Sequence, residues 1–497
     1  MFNSIWLMTL IARVTGQAYT PLWGEKIPFI LLGLGCFSFF IVAFTLAYLR
    51  YFREDKSWRK LFFITSSFTM AVVVAKYTVY HFVKGYIPDR LLLYALPSPR
   101  VENFFWFLLP IIVFGIFLYY RERIEKLPIN KFLITLWFTL VLFSLSVAAI
   151  RNGIFSIYEP FTRTYWEYTG NLPFVKSVPD FLHNYIILQP KLAQHSITHP
   201  PGYTITLYLF QKYFHANLFG LSVLVVILGT SVIFPLYFFL KNFLSEKDLR
   251  RGLQLFIFLP SVVLLGATSM EFTLLFFTWL TIYVLYAGWQ RSNLISFVGG
   301  LLVGLTLFQN FLVLLLTPLF LALLLHVYGK IQPKDRKYFW LRLGYSIIGF
   351  LIFFSVLQME FGYSIITNFL IGRQANAEVV ESNWRSVGTY GTYLIMNILA
   401  FFIYLGVIHI PWIIRYFKSF FNRHNIWLSL GFLIVLFFLL IGVFQGEIER
   451  LWLFITPLFI IPLSSLYRDV EGRQFSGILA LLFFQIFITQ ILFYTYW

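Results

Sequence analysis

Residues 132–150 read FLITLWFTLVLFSLSVAAI, nineteen consecutive positions without a charge, and the eleven before them, RERIEKLPINK at 121–131, include four Lys or Arg. At 1.5 Å rise per residue, about 20 apolar residues match the roughly 30 Å hydrocarbon core of a bilayer. A run of this length beside a basic loop is a transmembrane helix with its flanking loop on the cytoplasmic side. Working outward, comparable runs recur from Ile27 to Tyr496 with short connections. We place spans at 27–49, 60–82, 102–120, 131–150, 215–240, 250–267, 270–288, 294–308, 310–327, 338–357, 391–415, 425–444, 450–466 and 475–496. The expected fold class is an all-α integral membrane protein of about fourteen transmembrane helices, with short interfacial helices in its outer loops.

Composition agrees: 59% of residues are hydrophobic and 12% charged, about half the charge of an ordinary soluble domain. The net charge of +17 does not mark a nucleic-acid binder, because the Lys and Arg are dispersed. Seven short loops, at 51–60, 121–131, 241–251, 290–293, 329–342, 415–423 and 467–473, hold roughly three-fifths of them, and alternate spans place all seven on the cytoplasmic face. Both termini then face outward. Cys36 is the single cysteine, which excludes an intramolecular disulfide and a cysteine metal cluster. The start, MFNSIWLMTLIARV, lacks the basic leader and small-residue site of a cleavable signal.

The chain divides into N-terminal spans at 1–150, a large outer loop at 151–214, and further spans at 215–497 with a second outer loop at 358–390. Irregular backbone facing lipid would leave polar groups unsatisfied, so the large loop is expected to fold as short helices on the bilayer surface. Phe161, Tyr165 and Tyr168, at spacings of four and three, predict one of them.

Three strings carry candidate chemistry. In QHSITHPPGYTITLYLF, residues 194–210, two prolines hold His199 at a rigid helix start, with His195 four positions earlier. A helix-start signal at the membrane surface accounts for the same residues, and a metal site from His183, His195 and His199 has no carboxylate at diagnostic spacing. In FQGEIERLWLFITP, residues 444–457, Arg450 falls in the first turn of a helix three positions after Glu447. The helix dipole disfavours a cation there unless an anion such as phosphate is near; a surface Arg450 paired with Glu447 is the plainer reading. In RNGIFSIYEPFTRTYWEYTGNLPFVKSVPD, residues 151–180, Glu159, Glu167 and Asp180 stand among aromatic rings able to cover a sugar. Any of the three could act as a general base or be a solvated loop carboxylate.

Together the strings resemble the GT-C membrane glycosyltransferases, which take sugars from polyprenyl-phosphate carriers. The resemblance is architectural over most of the chain and motif-specific only at 151–210 and 444–457. Glu159 stands where that superfamily has an acid in its first large outer loop, and His199-Pro200-Pro201 where it has a His-Pro-Pro or Lys-Pro-Pro motif. YEPFTRTYWEYTGNLP is similar to the aminoarabinose and protein mannosyl transferase branch, with Tyr158 and Asn171 in place of two acids. Four spans precede the loop where the superfamily usually has one.

The resemblance implies an inverting transfer of a sugar from a polyprenyl-phosphate donor to a lipid, glycan or protein acceptor, on the outer face of a prokaryotic cytoplasmic membrane. It implies Glu159 as base, with Glu167 or Asp180 as substitutes, Arg450 and Glu447 at the carrier phosphate, and His195 and His199 orienting substrate. Arg163, and Arg385 in a lid-like segment at 373–390, complete the substrate-binding set. No nucleotide is implied and no cofactor is firmly implied, although a divalent metal is compatible. The competing classes are a flippase or transporter of amphiphilic cargo, whose signature is ionisable groups in mid-membrane, and a non-catalytic assembly scaffold.

Overall fold

The computed structural model describes residues 56–82, 95–98, 104–267, 269–379, 383–410, 412–413, 426–442 and 444–495, with isolated positions between 35 and 50. The expected span at 27–49, Cys36, the loop at 415–423 and Glu381 lie outside the described residues, apart from those isolated positions.

The protein is an all-α membrane protein. Eight described helices are long and apolar enough to cross a bilayer, from Phe105–Glu125 to Gly472–Leu492, and nine if the pair Glu246–Phe256 and Pro260–Gly266, bent by 44°, counts as one span. Gly472–Leu492 and Glu271–Arg291 are the most enclosed, while Pro333–Phe361 and Phe105–Glu125 form the periphery. Ile347, Ile348, Leu351 and Ile352 are exposed on one of these outer helices, as expected of a surface solvated by lipid tails. Strand structure among the described residues is one antiparallel pair, Leu96–Pro97 with Phe493–Tyr494. Helix starts carry caps: the Ser292, Ser245 and Ser386 hydroxyls accept from the backbone N–H groups of Ile295, Asp248 and Thr389.

Small residues set the closest helix contact. Asn293–Gln309 carries Gly300 and Gly304 four apart, and lies against Arg336–Phe361. A Cβ on Gly300 would fall 1.9 Å from the Ser346 carbonyl oxygen, and one on Gly349 would fall 2.2 Å from that of Phe297. The two backbones touch, and dispersion contact replaces a hydrophobic drive that is absent between helices in lipid. Gly300→Ala should therefore lower thermal stability in detergent by roughly 1–3 kcal/mol through overpacking. Gly344→Ala, on the partner helix with nothing within 4 Å, should be neutral or gain up to about 1 kcal/mol from helix propensity. Equal melting shifts for the two would remove the packing role.

Loops expected to share a face do meet. At one end, Arg250 donates to the Leu127 carbonyl at 2.7 Å, Arg251 to that of Val470 at 2.7 Å, and Arg468 to Asp248 at 2.7 Å. At the other end Gln189 donates to the Asn368 carbonyl at 3.1 Å, Trp384 to Ile441 at 3.0 Å, and Asn397 to Phe444 at 3.0 Å. The basic loops and the long polar loops thus occupy opposite ends of the bundle.

Two local expectations are corrected. Residues 158–170 do not form an amphipathic helix: Pro160 opens a single 3-10 turn at Pro160–Thr162, and a second 3-10 segment runs Tyr168–Phe174. Phe161 and Tyr168 are buried, because the chain folds back until Gly170 rests on the Thr164 carbonyl. Residues 450–466 are not one continuous helix either. Ile448–Leu451, a 3-10 segment at Leu453–Phe459 and Ile460–Leu466 follow one another, with Pro457 inside the 3-10 segment, where it removes a backbone donor.

Candidate functional site

The His-Pro-Pro-Gly junction is locked from several directions. His195 is in a four-residue helix, Gln194–Ile197, and the next helix is Gly202–Phe214. Between them the His199 carbonyl accepts from the Tyr185 hydroxyl at 2.8 Å. Asn171 accepts from the Ala193 N–H at 2.8 Å and donates to Thr204 at 3.2 Å and to Ser196. Gly202 leaves no room for a side chain: a Cβ would fall 2.2 Å from the Phe308 carbonyl oxygen. The junction is therefore both a helix start and a fixed platform.

The platform sets the state of its two histidines. His199 Nδ1 lies 2.8 Å from the His195 carbonyl oxygen and 2.8 Å from the Thr198 hydroxyl. A carbonyl only accepts, so Nδ1 carries the proton and Nε2 keeps a free lone pair. Burial lowers the His199 pKa to about 4 against the weaker upward pull of Glu271, so this imidazole is neutral at physiological pH. His195 differs. Burial alone would lower its pKa, but the Glu167 carboxylate, 3.6 Å from its Nδ1, outweighs burial and the net shift is upward. Tyr168 packs against both rings, 6.0 Å from His195 and edge-on to His199 at 6.2 Å and to Tyr203 at 5.0 Å, and burial raises its own pKa well above the usual value.

Arg450 closes the cluster. It is buried, its Nη2 donates to Glu447, and its Nε is buried with no hydrogen-bond partner. Glu271, Glu447 and Glu167 all act on it electrostatically. Glu447 has φ of +56°, a left-handed conformation that costs a non-glycine residue about 1 kcal/mol or more and places the carboxylate beside Arg450. Arg450 does lie in a first helical turn, but that helix is four residues long, too short for a useful dipole. The case for an anion rests on the guanidinium.

The structure thus brings together Glu167, His195, His199, Glu447 and Arg450. It adds Glu271, the buried first residue of Glu271–Arg291, which has no hydrogen-bond partner among the described residues. Its charge also acts on His199, Tyr168 and Tyr203. In sequence an acid opening an apolar run reads as an ordinary helix start, and Glu271 stood out only as one of the few ionisable residues within the spans, with Lys76 and His409.

The remaining candidates lie elsewhere in the contact network. Glu159 is buried, accepts from the Tyr494 hydroxyl at 2.7 Å and pairs with Arg163 at 3.3 Å. Arg163 also covers the Tyr494 ring at 5.1 Å. Asp180 is exposed in the first turn of Val178–Leu188, holding the Asn184 amide at 3.2 Å. Arg385 is exposed at the end of the 3-10 turn Asn383–Arg385. Among the described residues no group of three or more His, Cys, Asp or Glu is disposed to hold a metal ion.

No family model, curated protein or solved structure matches the chain. The functional reading rests on the site itself.

Proposed function

We propose that the chain is a polytopic glycosyltransferase of the GT-C kind, with about fourteen spans, acting at the outer face of a prokaryotic cytoplasmic membrane on a polyprenyl-phosphate-linked sugar. The observation that carries this reading is the buried Arg450, whose Nε has no partner, set among Glu167, His195, His199 and Glu271 at the end of the bundle away from the basic loops. A planar guanidinium with a buried, unsatisfied N–H suits a phosphate oxygen.

The acceptor hydroxyl attacks the anomeric carbon, the bond from that carbon to the phosphate oxygen breaks, and polyprenyl phosphate leaves with the electron pair. Arg450 neutralises the leaving phosphate. The acceptor proton passes to the Glu167–His195 pair, while the bare Nε2 of His199 accepts a hydrogen bond from a substrate hydroxyl. Glu167, Glu271 and Glu447 outnumber the one arginine of the cluster, which favours positive charge developing at the sugar ring in the transition state. Of the three acids named from sequence as candidate bases, Glu167 is the one grouped with His195 and Arg450, so the base role moves to it from Glu159.

The direct test is incubation of purified protein with a panel of polyprenyl-phosphate sugars, measuring transfer or sugar release. Substrate-dependent release supports the reading. Movement of lipid-linked cargo across vesicles without bond cleavage supports the transporter class instead. Glu271 begins a span and so marks an end of the bundle, which favours surface chemistry over a mid-membrane ion path.

A pH profile checks the pair. Because the His195 pKa lies above 6.5, activity should fall as pH drops through a value above 6.5. In the residual activity of Glu167→Gln this limb should move to lower pH, since the main group opposing burial is then gone. His199 contributes in the opposite sense to stability: its depressed pKa stabilises the fold above about pH 6.5, and that contribution is lost as pH falls towards about 4. An acid limb unmoved by Glu167→Gln would separate the pair from catalysis.

A further inference from the structure

The end of the bundle formed by the basic loops holds a cavity of about 410 Å³. Five basic side chains line it, Arg121, Lys126, Lys247, Arg250 and Arg251, against three carboxylates. All three carboxylates are engaged within the wall. Glu125 accepts from Arg121 at 2.8 Å and from Arg251 at 3.4 Å, Glu122 from Arg121 at 3.1 Å, and Glu246 from Arg250 at 2.7 Å. Arg250 Nη1 is held by the Leu127 carbonyl at 2.7 Å and Arg251 Nη1 by that of Val470 at 2.7 Å. These bonds join the turn after Phe105–Glu125, the start of Glu246–Phe256 and the segment before Gly472–Leu492, so the wall is rigid.

What the wall leaves over is cationic. The Nη2 groups of Arg250 and Arg251 have no hydrogen-bond partner among the described residues, nor do the ammonium groups of Lys126 and Lys247. Arg251 is buried, so its guanidinium is held in place before any ligand arrives. The two unused arginine edges offer directional donors, and the two lysines offer mobile charge at the rim. Phosphate oxygens match that combination, whereas a carboxylate would meet the three acids already in the wall with fewer oxygens. Basic pockets between spans at the cytoplasmic surface are suited to lipid phosphates.

We propose that this cavity is a phosphate-binding site, separate from the His-Pro-Pro-Gly cluster and independent of the function proposed for it. The phosphate belongs either to an anionic lipid headgroup or to a soluble phosphate compound.

The test uses the purified full chain in neutral detergent, with phosphatidylglycerol, phosphatidylcholine and inorganic phosphate as probes, and native mass spectrometry with titration calorimetry as readouts. Wild-type protein should retain phosphatidylglycerol at least about tenfold better than phosphatidylcholine, or bind inorganic phosphate, and the Lys126→Gln/Lys247→Gln double variant should lose about tenfold in that affinity. Both lysines are exposed, and the two single variants with their melting temperatures guard against a folding effect. Phosphatidylglycerol preference that inorganic phosphate does not displace assigns the site to a headgroup; phosphate binding without lipid preference assigns it to a soluble compound. Equal retention of the two lipids with no phosphate binding overturns the proposal. So does unchanged affinity in the double variant.

Discussion

Glu167→Gln is expected to lower the sugar-transfer rate by about 10²- to 10⁴-fold, the usual cost of removing a positioned base, with donor binding retained. The substitution keeps size and hydrogen-bonding capacity and removes only basicity and charge. It also removes the group that holds the His195 pKa up, so both members of the pair lose proton affinity together. Glu159→Gln is the informative comparison. Its carboxylate is tied to Tyr494 and Arg163, so the change should lower the melting temperature while leaving the rate within a few-fold of wild type. The reverse pattern, a normal rate in Glu167→Gln and a dead but stable Glu159→Gln, would return the base to Glu159, as the superfamily resemblance implies.

Arg450→Ala should be the more damaging change, because it acts on both stability and chemistry. Removing one partner of a buried ion pair leaves uncompensated charge, a cost of about 3–5 kcal/mol, and here Glu447, Glu271 and Glu167 all lose their shared cation. Arg450→Lys separates the two effects. It keeps the charge but loses the planar fork, so stability should be largely restored while kcat/KM remains at least roughly tenfold down, about 1.4 kcal/mol of transition-state stabilisation. Melting curves and steady-state kinetics on the two variants distinguish the outcomes. Wild-type kinetics in Arg450→Lys would reduce Arg450 to a structural counter-ion.

The ends of the bundle were legible in the sequence because charge in short loops is a local property. Arg121, Arg250, Arg251 and Arg468, assigned to one face by counting, are the residues that tie that end together. The His-Pro-Pro-Gly junction was legible because proline restricts its own backbone wherever it sits. Grouping is different, since it depends on contacts between distant segments. Glu167 and Arg450 are 283 residues apart in sequence, and nothing local says that Glu167 rather than Glu159 meets Arg450. Residues 450–466 misled for another reason: LWLFITPLFIIPLSSL is apolar enough to read as a span, and its break comes from backbone geometry that hydropathy does not weigh. Gly202 and Gly300 illustrate the same limit, because their necessity lies in the neighbours at Phe308 and Ser346.

The short strand pair and its surroundings bear on the order of assembly. Arg151, at the start of the large loop, donates to the Phe493 and Gln490 carbonyls, at 2.5 and 3.1 Å, and to that of Ser98 at 2.8 Å. Glu159 reaches Tyr494. The loop is synthesised more than three hundred residues before the strand that fastens it. Through insertion of the intervening spans these bonds cannot form, so Arg151 and Glu159 must wait, hydrated or held by other partners, until the ribosome has passed Tyr494. The fastening of the large loop is accordingly a late step of biogenesis. Pulse-labelled chains should keep this loop open to protease until residues 490–494 have been made and have entered the membrane.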